Sequence, residues 1–130
     1  MQNFVFENPT KIIFGKGSIA RIGPEVRRFG NRVLMVCGMG SVRASGVYEQ
    51  VLNSLKEAGV EVVELSGVKS NPLLSKAKEG IALARAKQVD AVLAVGGGSV
   101  IDTAKTIAAG VKADHDPWEF FVYTKLVREA

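Results

Sequence analysis

Three apolar runs set the frame of this chain: RVLMVC (Arg32 to Cys37), VEVVEL (Val60 to Leu65) and AVLAV (Ala91 to Val95). Each is followed by a stretch of helical period. After the first run, Val47, Val51, Leu55 and Ala58 recur at spacings of four, four and three. After the second, Leu74, Ala77, Ile81 and Ala84 share one helix face. Strands that alternate with helices of this length predict βαβ units, hence a parallel sheet covered on both faces. The nearly unbroken apolar runs at Arg32 and Ala91 read as strands buried on both sides. VEVVEL alternates more and reads as nearer a sheet edge. Ser99 to about Val111 reads as a further helix, and DPWEFF (Asp116 to Phe121) as a short helical turn.

The first thirty residues are less regular. NFVFENPTKIIFG reads as a short β-hairpin around Asn8-Pro9, because Phe4 and Phe6 alternate and Ile12, Ile13 and Phe14 follow the turn. GSIARIGPEVRRFG reads as a helix capped by Ser18, kinked or restarted at Gly23-Pro24 and ended by Gly30. The expected fold class is α/β: a Rossmann-like parallel sheet with flanking helices, preceded by that hairpin, in one domain over residues 1–130. The closing YTKLVREA carries no turn signal, which leaves room for the sheet to continue in a longer protein.

Composition narrows the function. The chain is 47% apolar and 23% charged, with a net charge of +4 that is spread rather than blocked. Dispersed Lys and Arg, with one Trp and two Tyr for stacking, argue against a nucleic-acid surface. The mild positive charge suits solubility, or an anionic ligand such as a phosphate. A single cysteine, Cys37 at the end of an apolar run, excludes an internal disulfide framework, fits a reducing cytoplasm and reads as a core residue. The opening lacks the basic and apolar regions of a signal peptide, and no apolar run is long enough to span a membrane.

The chemistry concentrates where AVLAV meets GGGSVIDTAK. In open α/β sheets ligands bind beyond the carboxyl ends of the strands. Glycines at 96, 97 and 98 carry no side chain that would block a ligand, and the helix that follows presents unpaired N–H groups and the positive end of its dipole. A diphosphate fits this arrangement; a tightly packed turn without a ligand is the alternative. The spacing matches neither a literal dinucleotide fingerprint, since Ile101 stands where its third glycine would be, nor a P-loop. Asp102 stands three residues after Ser99, the spacing of a capping box, and Lys105 three residues further, the spacing of a surface ion pair. Either can instead face a ligand.

A second turn, CGMGSVRASG, follows the first apolar run. No acid occurs between Arg32 and Glu49 to accept a ribose 2′-hydroxyl, whereas Ser41, backbone donors and Arg43 are at hand. If the turn holds a ligand at all, that composition favours NADP over NAD.

AVGGGSVIDTAKTIAA, GMGSVRASGVYEQVLNSLKEAGVEVVEL, SNP and DPWEFF, with the opening FVFENPTKIIFGKGSIARIG, resemble the amino-terminal domain of the iron-containing (group III) alcohol dehydrogenases, most closely the NADP-dependent butanol dehydrogenase-like branch. The resemblance implies a dehydroquinate synthase-like nucleotide domain. It implies that Gly97, Gly98 and Ser99 hold the cofactor diphosphate, with Asp102 towards the nicotinamide and Lys105 close to the cleft. Gly38, Gly40 and Ser41 would surround the adenosine ribose and its 2′-phosphate, and Asn71 and Pro72 would border the adenine. The family's divalent metal, iron or zinc, is held by one Asp and three His of a helical domain that this chain lacks; its only histidine, His115, reads as a loop residue, so no metal ligand and no catalytic residue is expected here.

The expected function is therefore the NADP-binding domain of a metal-dependent oxidoreductase acting on a small alcohol or aldehyde, cytoplasmic, inactive in isolation and able to form a homodimer. The alternative is a non-catalytic nucleotide-binding or oligomerising module. Neither nucleic acid nor a membrane is an expected partner.

Overall fold

A computed structural model describes residues 3–70, 73–122 and 126–130. Its centre is a three-stranded parallel sheet in the order β2-β1-β3, built from β1 (Arg32–Gly38), β2 (Glu61–Val68) and β3 (Ala91–Val95). β1 lies between the others, with Leu34 opposite Val63 on one side and Val92 on the other. This position explains its composition: Val33 to Cys37 have no solvent-facing side and are all buried. β2 is an edge strand, as its alternation implies. β3 differs from expectation. Among the described residues it also lies at an edge, pairs only with β1, and is half-buried except at Val95.

The pleat of β1 divides the core. Leu34 and Val36 pack with Ile81, Ala84, Ala104 and Ile107 from α4 (Leu74–Lys87) and α5 (Gly98–Val111). Val33, Met35 and Cys37 pack with Val51 and Leu55 of α3 (Val47–Glu57), and with Val42 of α2 (Ser41–Ala44). Burial of each such aliphatic side chain is worth about 1.5–3 kcal/mol. Desolvation, with the Glu64 carboxylate adding to it, pushes the Cys37 thiol up to about 11, so it sits in this core as a protonated, inert group.

The helix before β1 is in two parts. A 3-10 turn, Ser18–Arg21, passes into α1 (Ile22–Arg27), with Pro24 in the first turn of α1, where its missing donor costs nothing. Ser18 does not cap it. The preceding residue, Gly17, takes that place with φ 77° and no side-chain bond. α1 packs against α3 at Gly23. The Gly23 N–H donates to Ser54 Oγ at 2.9 Å, and that hydroxyl donates to the Ala20 carbonyl at the same distance. Ser54 is buried because these two bonds satisfy it.

Residues 3–14 do not form the expected hairpin. They contain no strand, and Phe4, Phe6 and Phe14 are 79%, 79% and 99% exposed. An isolated two-stranded hairpin is marginal in water, and among the described residues these aromatic side chains find no apolar face to stabilise one.

At the opposite end of the sheet from the glycine turn, Asp90 closes the β1–β3 entry. Its Oδ2 accepts the N–H groups of Asn31 at 2.7 Å and Arg32 at 2.9 Å. These backbone donors, that of Arg32 foremost, hold the Asp90 carboxyl below its ordinary 3.8. A depressed carboxyl contributes stability above its unfolded-state value and loses it as pH falls through the folded one. Asp90→Asn should therefore lower the melting midpoint at pH 7, and the gap from the parent chain should close as both are titrated below pH 3.8 in thermal melts.

Candidate functional site

The carboxyl ends of β1 and β3 lie side by side, because Cys37 pairs with Val95 in the parallel ladder. The two glycine-bearing turns therefore emerge at one edge of the sheet. β3 ends into Gly96, whose φ of 156° lies in the region that favours glycine; a Cβ there would also stand 2.7 Å from Val100 Cγ2. Gly96 is thus a structural requirement of the turn.

Gly97 and Gly98 are different. Neither has a positive φ, and a Cβ on either would meet no atom within 4 Å. Among the described residues nothing demands their lack of a side chain. Gly97 is the N-cap of α5, and its carbonyl accepts the N–H of Val100 at 3.0 Å and of Ile101 at 3.1 Å. The donors before these, Gly98 and Ser99, stand ahead of the first intrahelical bonds, at the positive end of the helix dipole. Among the described residues no side chain obstructs this corner, which is rich in main-chain donors.

Gly98 opens α5 and Ser99 is its second residue, so Ser99 is not a cap. Its hydroxyl donates to the Ser70 carbonyl at 2.9 Å, bracing the turn against the loop after β2. The capping-box reading of Asp102 fails for the same reason: the cap is Gly97, with no side-chain bond. Nor do Asp102 and Lys105 pair, since among the described residues neither charged group has a hydrogen bond or an ion pair. Both line a groove of about 460 Å³ between α4, α5 and α6 (Trp118–Phe121), together with Leu73, Ala77, Trp118 and Phe121. Asn71 and Pro72 lie outside the described residues.

The β1 turn carries Gly38, Gly40 and Ser41. A Cβ added at Gly38 would meet Val100 Cγ2 at 3.6 Å and the Val68 carbonyl oxygen at 3.8 Å, both ordinary van der Waals distances. A Cβ on Gly40 would meet nothing within 4 Å, and the Ser41 hydroxyl has no partner among the described residues. Two residues on, Arg43 is not free. Its Nη2 lies 2.5 Å from Glu64 Oε1, and its guanidinium stacks 3.8 Å from the centre of the Tyr48 ring. The Tyr48 hydroxyl donates to Glu64 Oε2 at 2.5 Å. That bond, with burial added, raises Tyr48 above its ordinary value of 10.0. The local sequence around Arg43 contains no acid; the fold supplies one from β2, where Met35 pairs with Glu64. A signal was present: alternation puts Glu64 on the same face of β2 as Val62, and an inward-facing acid in a strand needs a partner.

No group of three or more His, Cys, Asp or Glu converges among the described residues. His115 packs edge-on against Phe120 at 4.8 Å. The described residues do not fit a metal.

The family profile described as "Iron-containing alcohol dehydrogenase" matches residues 9–130. The chain belongs to the iron-containing alcohol dehydrogenase family. It is 53% identical to the "Probable NADH-dependent butanol dehydrogenase 2" of Bacillus subtilis over 93% of this chain and 31% of that one. It is 42% identical to the "NADPH-dependent aldehyde reductase YqhD" of Escherichia coli over 91% of this chain and 30% of that one. The crystal structure of NADH-dependent butanol dehydrogenase A from Thermotoga maritima superposes with a TM-score of 0.96 at 50% identity, covering all of this chain and 33% of that one. This iron-containing alcohol dehydrogenase chain thus spans about a third of the length of the relatives it matches. Among its described residues no helix is long and apolar enough to cross a membrane.

Proposed function

We propose that this chain is the cofactor-holding portion of a nicotinamide-dependent alcohol or aldehyde oxidoreductase. One observation carries the reading: Gly97 and Gly98 stand bare at a helix start where neither backbone strain nor packing requires glycine. An absent side chain with no internal cause is accounted for by an external group that must reach the main chain. A diphosphate accepts from the Gly98 and Ser99 N–H groups and is favoured by the helix dipole. Gly40 and Ser41 offer the same openness, plus a free hydroxyl, to the adenosine ribose. Asp102 and Lys105, unpaired on the next turns of α5, face the groove into which the nicotinamide end would extend.

The chain's work is to bind and orient the dinucleotide. In the complete enzyme hydride would pass between the nicotinamide and a primary alcohol or aldehyde. Four relatives at 40–53% identity carry NADH-dependent names and three at 36–42% carry NADP- or NADPH-dependent names, which supports a nicotinamide dinucleotide as the ligand. The open Gly38–Ser41 turn has room for the ribose of either cofactor; the engagement of Arg43 by Glu64 favours NAD.

The test is titration of the chain with NADH and NADPH, followed by nicotinamide fluorescence, alongside reduction of butyraldehyde with iron or zinc added. Saturable binding without turnover is expected. Absence of binding to either nucleotide contradicts the cofactor reading, and clear turnover contradicts the assignment of catalysis to residues outside this chain.

A further inference from the structure

We infer that Glu64 is a positioning residue that sets cofactor preference: it holds and neutralises the Arg43 guanidinium, so that the Gly38–Ser41 turn takes NAD in preference to NADP. This rests on the cofactor reading above. Arg43, two residues beyond Ser41, is the cation that the sequence around this turn offers to a 2′-phosphate. In the fold that cation is already satisfied. Glu64 Oε1 accepts from Arg43 Nη2, Oε2 accepts from the Tyr48 hydroxyl, and the Tyr48 ring supports the guanidinium plane from below. Both oxygens of the carboxylate are engaged, and the guanidinium is fixed by a stack and an ion pair at once.

The cluster is also well anchored. Tyr48 is buried on α3, and the Glu64 side chain is 29% exposed beside the central strand, while the Arg43 side chain remains 52% exposed. To meet a 2′-phosphate, Arg43 must leave its acid or bring it along, and a carboxylate beside a phosphate is repulsive. An unphosphorylated ribose makes no such demand. Its hydroxyls need only neutral partners, and Ser41 supplies one. Charge cancellation at this point discriminates between two cofactors that differ by a single phosphate.

Glu64→Gln preserves the shape of the side chain and its acceptance of the Tyr48 proton while releasing the charge on Arg43. A hydrogen bond to a charged group is worth about 1.5–3 kcal/mol, so NADP affinity should rise on the order of tenfold relative to NAD. NAD affinity should stay within about twofold, because the neutral partners of its ribose are untouched. Adding Arg43→Ala to Glu64→Gln should remove the gain. Tyr48→Phe, which keeps the stack and the Arg43–Glu64 pair, should leave the ratio unchanged. The measurement is the pair of dissociation constants for NADH and NADPH by fluorescence titration, with melting curves confirming that each variant is folded. A purely structural Glu64 would move both constants together. That result, an unmoved ratio in Glu64→Gln, or preference of the parent chain for NADPH overturns the inference. Loss of binding of both nucleotides by the parent chain contradicts the cofactor reading instead.

Discussion

Gly98→Val should remove dinucleotide binding and leave the melting midpoint of the ligand-free chain unchanged. The two halves of this expectation come from one geometric fact. A Cβ at Gly98 meets no described atom within 4 Å and the backbone there is not in the left-handed region, so a side chain can be added without backbone strain. The same empty volume is what the diphosphate would occupy. Two charge-assisted bonds to main-chain N–H groups, lost together, correspond to a fall in affinity of roughly 100-fold or more. At a hundredfold excess of ligand over its dissociation constant, binding stabilises a folded chain by about 2.7 kcal/mol. That ligand-dependent rise in midpoint, measured by differential scanning fluorimetry, should be present in the parent and absent in the variant.

Gly23→Ala should do the reverse, destabilising the fold without touching the site. Here a Cβ would stand 2.0 Å from the Ser54 carbonyl oxygen and 2.9 Å from Ala58 Cβ. The obstacle is main chain, which cannot rotate aside. Contrast Gly80, where the nearest atoms are the ends of the Ile107 and Leu65 side chains. Parting α1 from α3 also disturbs the Gly23–Ser54 hydrogen bond. The expected loss is about 3 kcal/mol, the upper part of the range for overpacking. It should lower the midpoint by roughly 10 °C, read in thermal melts by circular dichroism. A folded population of the variant should still bind nucleotide.

These two glycines show what the sequence made legible and what it hid. The strands and helices were readable because burial imposes a period: β1 is apolar throughout since it has two neighbours and two covered faces. The openness of the GGGS turn was readable because a run of glycines after a buried strand has few other meanings. The hairpin over residues 3–14 was misread because alternation reports a face that could be buried, while burial depends on a partner that local pattern does not contain. The capping box failed because Ser99 lies two residues past the true cap, a shift that spacing alone does not reveal. Ser54 and Glu64 act across 31 and 21 residues, through contacts with Gly23 and Arg43 that appear only once α1, α2, α3 and β2 are brought together.

The central claim is that main-chain donors at the start of α5 grip the cofactor diphosphate. Its most direct test is the amide nitrogen–proton correlation spectrum of the labelled chain during titration with NADH. Gly98 and Ser99 should show the largest shifts, with Gly40 and Ser41 next. Saturable shifts elsewhere, with Gly98 and Ser99 unmoved, would contradict it.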